Sequence, residues 1–315
     1  MRSRFKYAAM TKLLGPALIL AFCLSQAFRD VYLGHVFQGI DFFAIILLAF
    51  VLSTVIFGIV SVALDRAEFT RLRQHWKTVL AMNLTTAIAW ICYFFALTHL
   101  EPAIVNTIHS GMAPLVVIGL GACGARLAKH QDIGPVEGGA YAGIALSLIG
   151  LWWVVLSGRS GTPIADLATP IAALALLLVS GTSITVSLLY SKRLHDHDFG
   201  ANVISAVRYP LIIVVAAGFE AFRGLPQGLG GFGDLAILAS AATLLIVLPL
   251  FALQLGIART APLTGQTIRA LGPVFVFALE QFDRRLTYSA PVLICVLAYS
   301  AFGVIGNIAH GWRAE

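Results

Sequence analysis

Charged side chains are scarce in this sequence. Only 11% of its 315 residues are Asp, Glu, Lys or Arg, whereas 59% are hydrophobic and the mean hydropathy is +0.88. A soluble domain carries about 25% charged residues, so the composition excludes that class and predicts a protein with many membrane spans. The apolar segments are continuous and lack the short alternation of barrel strands, which favours helices.

Motifs that carry chemistry are also missing. The four cysteines form no CxxC pair and fall in apolar segments, so we interpret them as packing residues and not as disulfides or metal ligands. There is no HExxH, no GxSxG and no pair of acidic residues at one depth, and the glycine-rich stretch 224–233 lacks the lysine of a phosphate loop. We therefore predict no catalytic residue, no metal and no cofactor, and expect that the protein is not an enzyme.

Apolar stretches of roughly 20 residues, the length that crosses a membrane as a helix, recur along the whole chain. They predict ten transmembrane helices, near residues 13–34, 42–63, 78–98, 103–124, 138–157, 168–190, 202–221, 234–257, 262–281 and 288–309. The predicted fold class is therefore all-α integral membrane.

Basic residues indicate the orientation of these spans. Lys and Arg of short loops stay on the cytoplasmic side, and the segments that share a side with the N-terminus carry most of them. We predict a plasma-membrane protein, in a bacterium the inner membrane, with both termini in the cytoplasm. The net charge of +6 then reflects topology and contact with anionic lipid, not nucleic acid. Segment 65–77 is interpreted as a basic loop in preference to a short interfacial helix.

Two short strings occur twice at nearly one offset. Residues 102–114 and 262–273 share their outer prolines and a Thr-Ile pair, and Asp-Phe at 41–42 recurs at 198–199. Ten spans then divide into five-helix halves, 1–158 and 159–315. An odd number of spans per half inverts the second copy and predicts a molecule that can alternate between inward-open and outward-open forms.

Polar residues inside the membrane are costly and therefore informative. His109 and Arg269 follow the two Thr-Ile pairs and are predicted about 10 Å inside opposite faces of the membrane. Arg269 would attract an anion in a central cavity, or be neutralised by a structural partner; His109 would face the cavity or hydrogen-bond between helices. Pro114 and Pro273 predict kinks beside these groups.

Further polar and aromatic residues lie in the same spans. Thr86, Trp90 and Tyr93 share one helical face, which indicates either a wall of the cavity or helix packing. The complete set of candidate substrate-binding residues is Gln26, Asn83, Thr86, Trp90, Tyr93, Asn106, His109, Ser183, Gln266 and Arg269.

Two other charged pairs are interpreted structurally. Arg29 and Asp30 are adjacent and point about 100° apart on a helix, so we expect Arg29 to reach outward or to pair across helices. Glu280 and Arg284, four residues apart, are predicted to form an ion pair.

The repeated pattern of Ala-Leu before a helix that contains proline resembles the drug/metabolite transporter superfamily, EamA type. The residues concerned are Ala96-Leu97 leading to Pro114 and Ala252-Leu253 leading to Pro273. The resemblance implies a cavity lined by the first, third and fourth helices of each half, and substrates among amino acids, nucleotide precursors, sugars and cationic drugs. Gly124-Ala125-Arg126-Leu127 departs from the Gly-Glu-Arg-Leu that is frequent in the family.

These patterns predict a secondary transporter, an exporter, that moves a small metabolite such as an amino acid or organic anion by alternating access. Proton coupling and a monomer or homodimer are expected. The alternatives are a lipid flippase, which needs a polar groove open to lipid, and a membrane enzyme, which needs a reactive pair at one depth.

Overall fold

The computed structural model describes residues 2–33, 42–64, 66–125, 127, 133–162, 166–223, 239–260 and 262–314. The predicted glycine-rich connection 224–233 and Asp41 of the repeat lie outside this part of the chain. All regular secondary structure in the described ranges is helical, which confirms the predicted all-α class.

The helices follow the apolar segments closely. In the first half they are α1 (Arg2–Phe28), which continues as a π-helical turn (Arg29–Leu33), α2 (Phe42–Leu64), α3 (Arg66–Leu72), α4 (Trp76–Leu97), α5 (Pro102–Ala122) and α6 (Pro135–Leu156). In the second half they are α7 (Ala168–His195), α8 (Ala201–Val207), α9 (Pro210–Arg223), α10 (Leu248–Arg259), α11 (Pro262–Ala270), α12 (Gly272–Glu280) and α13 (Ala290–Ala314); a π-helical turn, Thr243–Val247, precedes α10.

Nine helices in the described residues are long and apolar enough to cross a membrane, which confirms a multi-pass membrane protein. The predicted ninth span, 262–281, is instead two short helices that meet at Leu271. Pro273 explains the break, because a proline has no N–H to bond to the carbonyl four residues earlier and its ring crowds that carbonyl. The predicted kink at Pro273 is thus present as a full interruption.

Segment 66–75 is helical, so its interpretation as a loop was wrong. Residues Arg66–Leu72 form α3 and a 3₁₀ turn leads directly into α4. Glu68 accepts a hydrogen bond from the backbone N–H of Gly200, and the Arg71 guanidinium lies over the Phe199 ring at 5.5 Å. These contacts with the α7–α8 connection give the segment the tertiary support that its sequence alone does not reveal.

Helices of the first half pack mainly on helices of the second half. The most extensive contacts join α4 to α7, α6 to α13 and α1 to α10; α2 packs on α8 and α9, and α5 on α12. Gly143 permits one close approach, since a Cβ there would lie 2.5 Å from the Phe302 ring. On the outside, Leu146, Ile149 and Ile294 are about two-thirds exposed, as expected for side chains that face lipid.

Candidate substrate cavity

A cavity lies where α1, α4, α5, α7, α10 and the α11–α12 break converge. Its volume is about 60 Å³, room for about two water molecules at their liquid volume of about 30 Å³ each. The residues that line it are Phe22, Cys23, Gln26, Arg29, Ala89, Trp90, Tyr93, Asn106, His109, Ser110, Ile184, Leu188, Arg208, Tyr209, Leu250, Leu253, Gln254, Arg269 and Gly272.

One charge in the cavity wall is neutralised locally. Arg29 donates from Nε and Nη2 to Asp30 Oδ1, at 2.8 and 2.6 Å. The other carboxylate oxygen of Asp30 accepts hydrogen bonds from the Tyr93 hydroxyl at 2.5 Å and from Asn106 Nδ2 at 3.1 Å. The Arg29 guanidinium also lies over the Trp90 ring at 5.3 Å. This network contributes no net charge to the cavity.

The prediction that Arg29 reaches outward was wrong, because Arg29 is only 2% exposed. Its ion pair is with the neighbouring Asp30, and its contact with another helix is a hydrogen bond of 3.5 Å from Nη2 to the Tyr93 hydroxyl of α4. The backbone at Arg29–Leu33 is π-helical, so the angular spacing of an α-helix does not apply there. The long Arg29 side chain bends toward Asp30, whose carboxylate is held by hydrogen bonds from Tyr93 of α4 and Asn106 of α5.

Arg208 is a second, deeply buried cation. It is 4% exposed, and it donates from Nε to the Thr86 hydroxyl at 3.3 Å and from Nη2 to the Ser187 hydroxyl at 3.1 Å. The two hydroxyls are themselves 2.6 Å apart. Within the described residues no carboxylate pairs with this guanidinium, and Nη1 has no hydrogen bond. Neutral hydroxyls orient the charge without cancelling it.

A break in the second half places Arg208 at the cavity. The helix α8 ends at Val207 and α9 begins at Pro210. Asn83 bridges the break, because its Nδ2 donates to the Val207 carbonyl at 2.6 Å and its Oδ1 accepts from the Leu211 N–H at 3.2 Å. This side chain therefore positions the residue that lines the cavity, although it does not line the cavity itself.

Arg269 is the third cation, in the last turn of α11 beside the helix break. Within the described part of the chain its guanidinium makes no hydrogen bond and no ion pair. The Ser300 hydroxyl donates to the Ala270 carbonyl at 2.8 Å and so satisfies one backbone acceptor at the break. The next helix, α12, begins at Gly272, which lines the cavity. The partial positive charge at this helix N-terminus favours an anion there.

His109 satisfies both interpretations of its role. Its Nδ1 lies 2.9 Å from the Ser180 hydroxyl, which donates its own proton to the Ala89 carbonyl at 2.7 Å. The hydroxyl must then accept from His109, which fixes Nδ1 as the protonated nitrogen. The imidazole stacks edge-on against Tyr93 at 4.6 Å between ring centroids and still lines the cavity.

The structure brings six of the ten candidate residues to the cavity: Gln26, Trp90, Tyr93, Asn106, His109 and Arg269. Asn83 and Thr86 lie behind the wall and hold Arg208. Ser183 is half-buried and Gln266 is exposed, and neither lines the cavity. The candidate set omits Arg208, although a charge inside a predicted span was the signal that could have found it.

The predicted ion pair between Glu280 and Arg284 was wrong. Glu280 is 3% exposed, and its Oε1 accepts a hydrogen bond from the backbone N–H of Ala103 at 2.7 Å. Arg284 is exposed to solvent. Glu280 lies instead beside Glu101, so a pair of acidic side chains exists that the sequence pattern did not reveal.

Comparison with known proteins gives the fold and nothing finer. No family model matches this chain, and no curated protein matches it. Fourteen chains in solved structures match. One crystal structure shares 16% of its residues with this chain and has a TM-score of 0.65, over 98% of this chain and 99% of its own length. The chain is therefore similar to that protein in fold over essentially its whole length.

Proposed function

We propose that this protein is a secondary transporter that moves a small anionic metabolite, a carboxylate or a phosphate, by alternating access. The observation that carries the proposal is the charge of the cavity wall. Arg29 is cancelled by Asp30, but Arg208 and Arg269 line the same cavity without a carboxylate among the described residues. Arg208 is buried and Arg269 is half-buried. A buried charge is normally paired, so these two guanidinium groups favour an anionic ligand.

The packing of the helices supports the alternating mechanism. In the proposed halves α1 corresponds to α7, α4 to α10, α5 to the α11–α12 pair and α6 to α13. The contact between α4 and α7 then corresponds to the contact between α10 and α1. The contacts of α6 with α13 and of α5 with α12 each join a helix to its own counterpart. This pattern is expected of two five-helix repeats, 1–158 and 159–315, if α11 and α12 together form a discontinuous ninth crossing that completes a set of ten.

The cavity lies between these two sets of helices, as a site must if both repeats move around it. Most of its lining comes from the first, third and fourth helices of each proposed half, the arrangement that the resemblance to the drug/metabolite transporter superfamily implies. Membership of that family is part of the proposal. Both termini in the cytoplasm remain a prediction of the charge pattern, and export and an inner-membrane location remain predictions.

A thermal-shift screen of the purified protein tests the choice of substrate. The probes are inorganic phosphate, malonate, succinate, glutamate and, as a cation, choline. A ligand stabilises the state that it binds, so phosphate or a carboxylate should raise the melting temperature in proportion to the logarithm of its concentration, and choline should not. A shift by choline alone would remove the anion proposal.

A further inference from the structure

Glu101 and Glu280 join the two halves of the molecule at one end of the bundle. Glu101 precedes α5, and its Oε2 accepts a hydrogen bond from the Gly161 N–H at 2.7 Å. Glu280 ends α12, and its Oε1 accepts from the Ala103 N–H, one of the free donors in the first turn of α5. Each acid thus accepts a hydrogen bond from a backbone N–H on the other side of the boundary between residues 1–158 and 159–315.

Both acids are buried, and no cation among the described residues forms an ion pair with either of them. Both are 3% exposed, and Glu280 Oε2 is a buried oxygen that accepts no hydrogen bond within the part of the chain that the structure describes. Among the charged side chains, Glu101 has the strongest electrostatic interaction with Glu280. Two ionised carboxylates in such a place would repel each other and leave lone pairs unsatisfied, whereas one shared proton removes the repulsion and supplies a donor for the orphaned oxygen.

The charged groups on neighbouring elements do not replace that proton. Asp283, on the connection after α12, is paired with Arg285, and Arg284 is exposed. Arg159, on the connection that carries Gly161, lies over the Trp153 ring at 4.9 Å. The π-helical turn that packs on α12 carries Arg29 and Asp30, which neutralise each other.

At the same end of the bundle, the connection after α6 is hydrogen-bonded to the connection before α13. The backbone N–H and the hydroxyl of Thr287 both donate to the Gly161 carbonyl at 3.1 Å, and the Ser289 hydroxyl donates to the Arg159 carbonyl at 2.7 Å. Along α5, Glu101 is eight residues, about 12 Å, from the cavity residue His109. Separation of the two acids would break the hydrogen bond from the Ala103 N–H to Glu280, which ties the start of α5 to the end of α12.

We propose that Glu101 and Glu280 form a proton-binding site that keeps this end of the transporter closed while they share a proton and lets it open when the proton leaves. The inference concerns access to the cavity described above and rests on the proposed transport function. Burial raises the pKa of Glu101 above its ordinary value, in keeping with a proton that is held at a pH where a solvated glutamate has lost it.

Difference infrared spectroscopy over a pH titration of the protein in lipid vesicles detects the proton directly. The wild type should show the carbonyl band of a protonated carboxylic acid, which disappears as the pH rises. E101Q and E280Q should each lose that band. E137Q should keep it, since Glu137 is as buried and also caps a helix start, but lies beside His310 at 2.8 Å. A band that persists in both Gln variants, or its absence from the wild type, overturns the proposal.

Access to the cavity is measured by the labelling rate of Cys23, which lines it, after Cys92, Cys123 and Cys295 are replaced by alanine. Glutamine mimics the protonated acid, so E280Q should stay closed at every pH. The ratio of the wild-type rate to the E280Q rate cancels the intrinsic titration of the thiol. It should rise by about tenfold per pH unit below the pKa of the shared proton and reach a plateau above that pKa. A ratio that is constant with pH contradicts the proposal.

The same samples separate this proposal from the transport function. Anion binding by thermal shift tests the cavity and does not need the proton site, so E280Q should bind the anion that the wild type binds. If anion binding persists and the pH response is absent, the proton site is wrong. If the pH response is present and no anion binds, the proposed substrate class is wrong. If E101Q does not fold, the infrared band of the wild type and its loss in E280Q still test the proton site.

Discussion

Replacement of Arg269 by glutamine should weaken anion binding without weakening the fold. The substitution removes the charge but keeps most of the length and a pair of amide donors. Two unit charges 4 Å apart at an effective dielectric constant of about 20 interact by about 4 kcal/mol, and loss of one member of a buried charge pair typically costs 2–5 kcal/mol. We therefore expect the Kd of the bound anion to rise by about 30- to 1,000-fold, which corresponds to about 2–4 kcal/mol.

The stability of the empty protein should move in the other direction. Within the described residues the Arg269 guanidinium has no hydrogen bond and no ion pair, and it shares the cavity with Arg208. Removal of an uncompensated cation relieves both its desolvation and its repulsion of the second arginine. R269Q without ligand should therefore melt at the same temperature as the wild type or higher. A structural arginine would give the opposite result.

The assay is isothermal titration of the purified protein with the anion that gives the largest thermal shift, together with the melting temperature without ligand. R284Q is the matched control, because it also removes one arginine charge but at an exposed position. It should leave the Kd and the melting temperature unchanged. An R269Q variant with unchanged Kd, or one that melts well below the wild type, would refute the assignment of Arg269 as an anion ligand.

Three further predictions concern positioning, packing and pH. T86V removes a hydroxyl that orients the Arg208 guanidinium, so it should weaken anion binding, measured by titration, by about 1.5–3 kcal/mol. The control T182V removes a hydroxyl that bonds to its own helix and should leave the affinity unchanged. G143A places a Cβ 2.5 Å from a phenyl ring of α13 and should lower the free energy of unfolding by about 1–3 kcal/mol; G139A, with open space around it, should not, and equal melting temperatures would contradict this packing. Burial raises the pKa of Glu101, so the folded state holds a proton that the unfolded state loses. Its contribution to the free energy of unfolding is fully present below about pH 4.3 and declines as the pH rises toward the folded pKa. In E101Q the melting temperature should change less with pH over that range.

Much of the fold could be predicted from the sequence because it depends on local composition. Long apolar segments must become helices in a membrane, where backbone groups have no other partner. The interruption of 262–280 also has a local cause, the proline at 273. Segment 66–75 could not be predicted in the same way, since its helix is supported by contacts with Phe199 and Gly200, more than 120 residues away.

The candidate site was predictable in part for the same reason. A charge or an amide inside an apolar span signals a cavity, which led to Arg269, Asn106 and Gln26. Which charges are cancelled depends on distant partners and local backbone form, so neither the Arg29–Asp30 pair in a π-helical turn nor the hydroxyls around Arg208 could be read from spacing. The pairing of Glu101 with Glu280 joins residues almost 180 positions apart.

Uptake by proteoliposomes tests the central claim, alternating-access transport of a small anion, most directly. Vesicles that contain the purified protein are preloaded with the unlabelled anion identified by thermal shift, and the entry of the labelled anion is followed. The wild type should show saturable exchange, which R269Q should reduce by the factor found for binding and R284Q should leave unchanged. Exchange no faster than in protein-free vesicles, or exchange equal in R269Q and wild type, would contradict it.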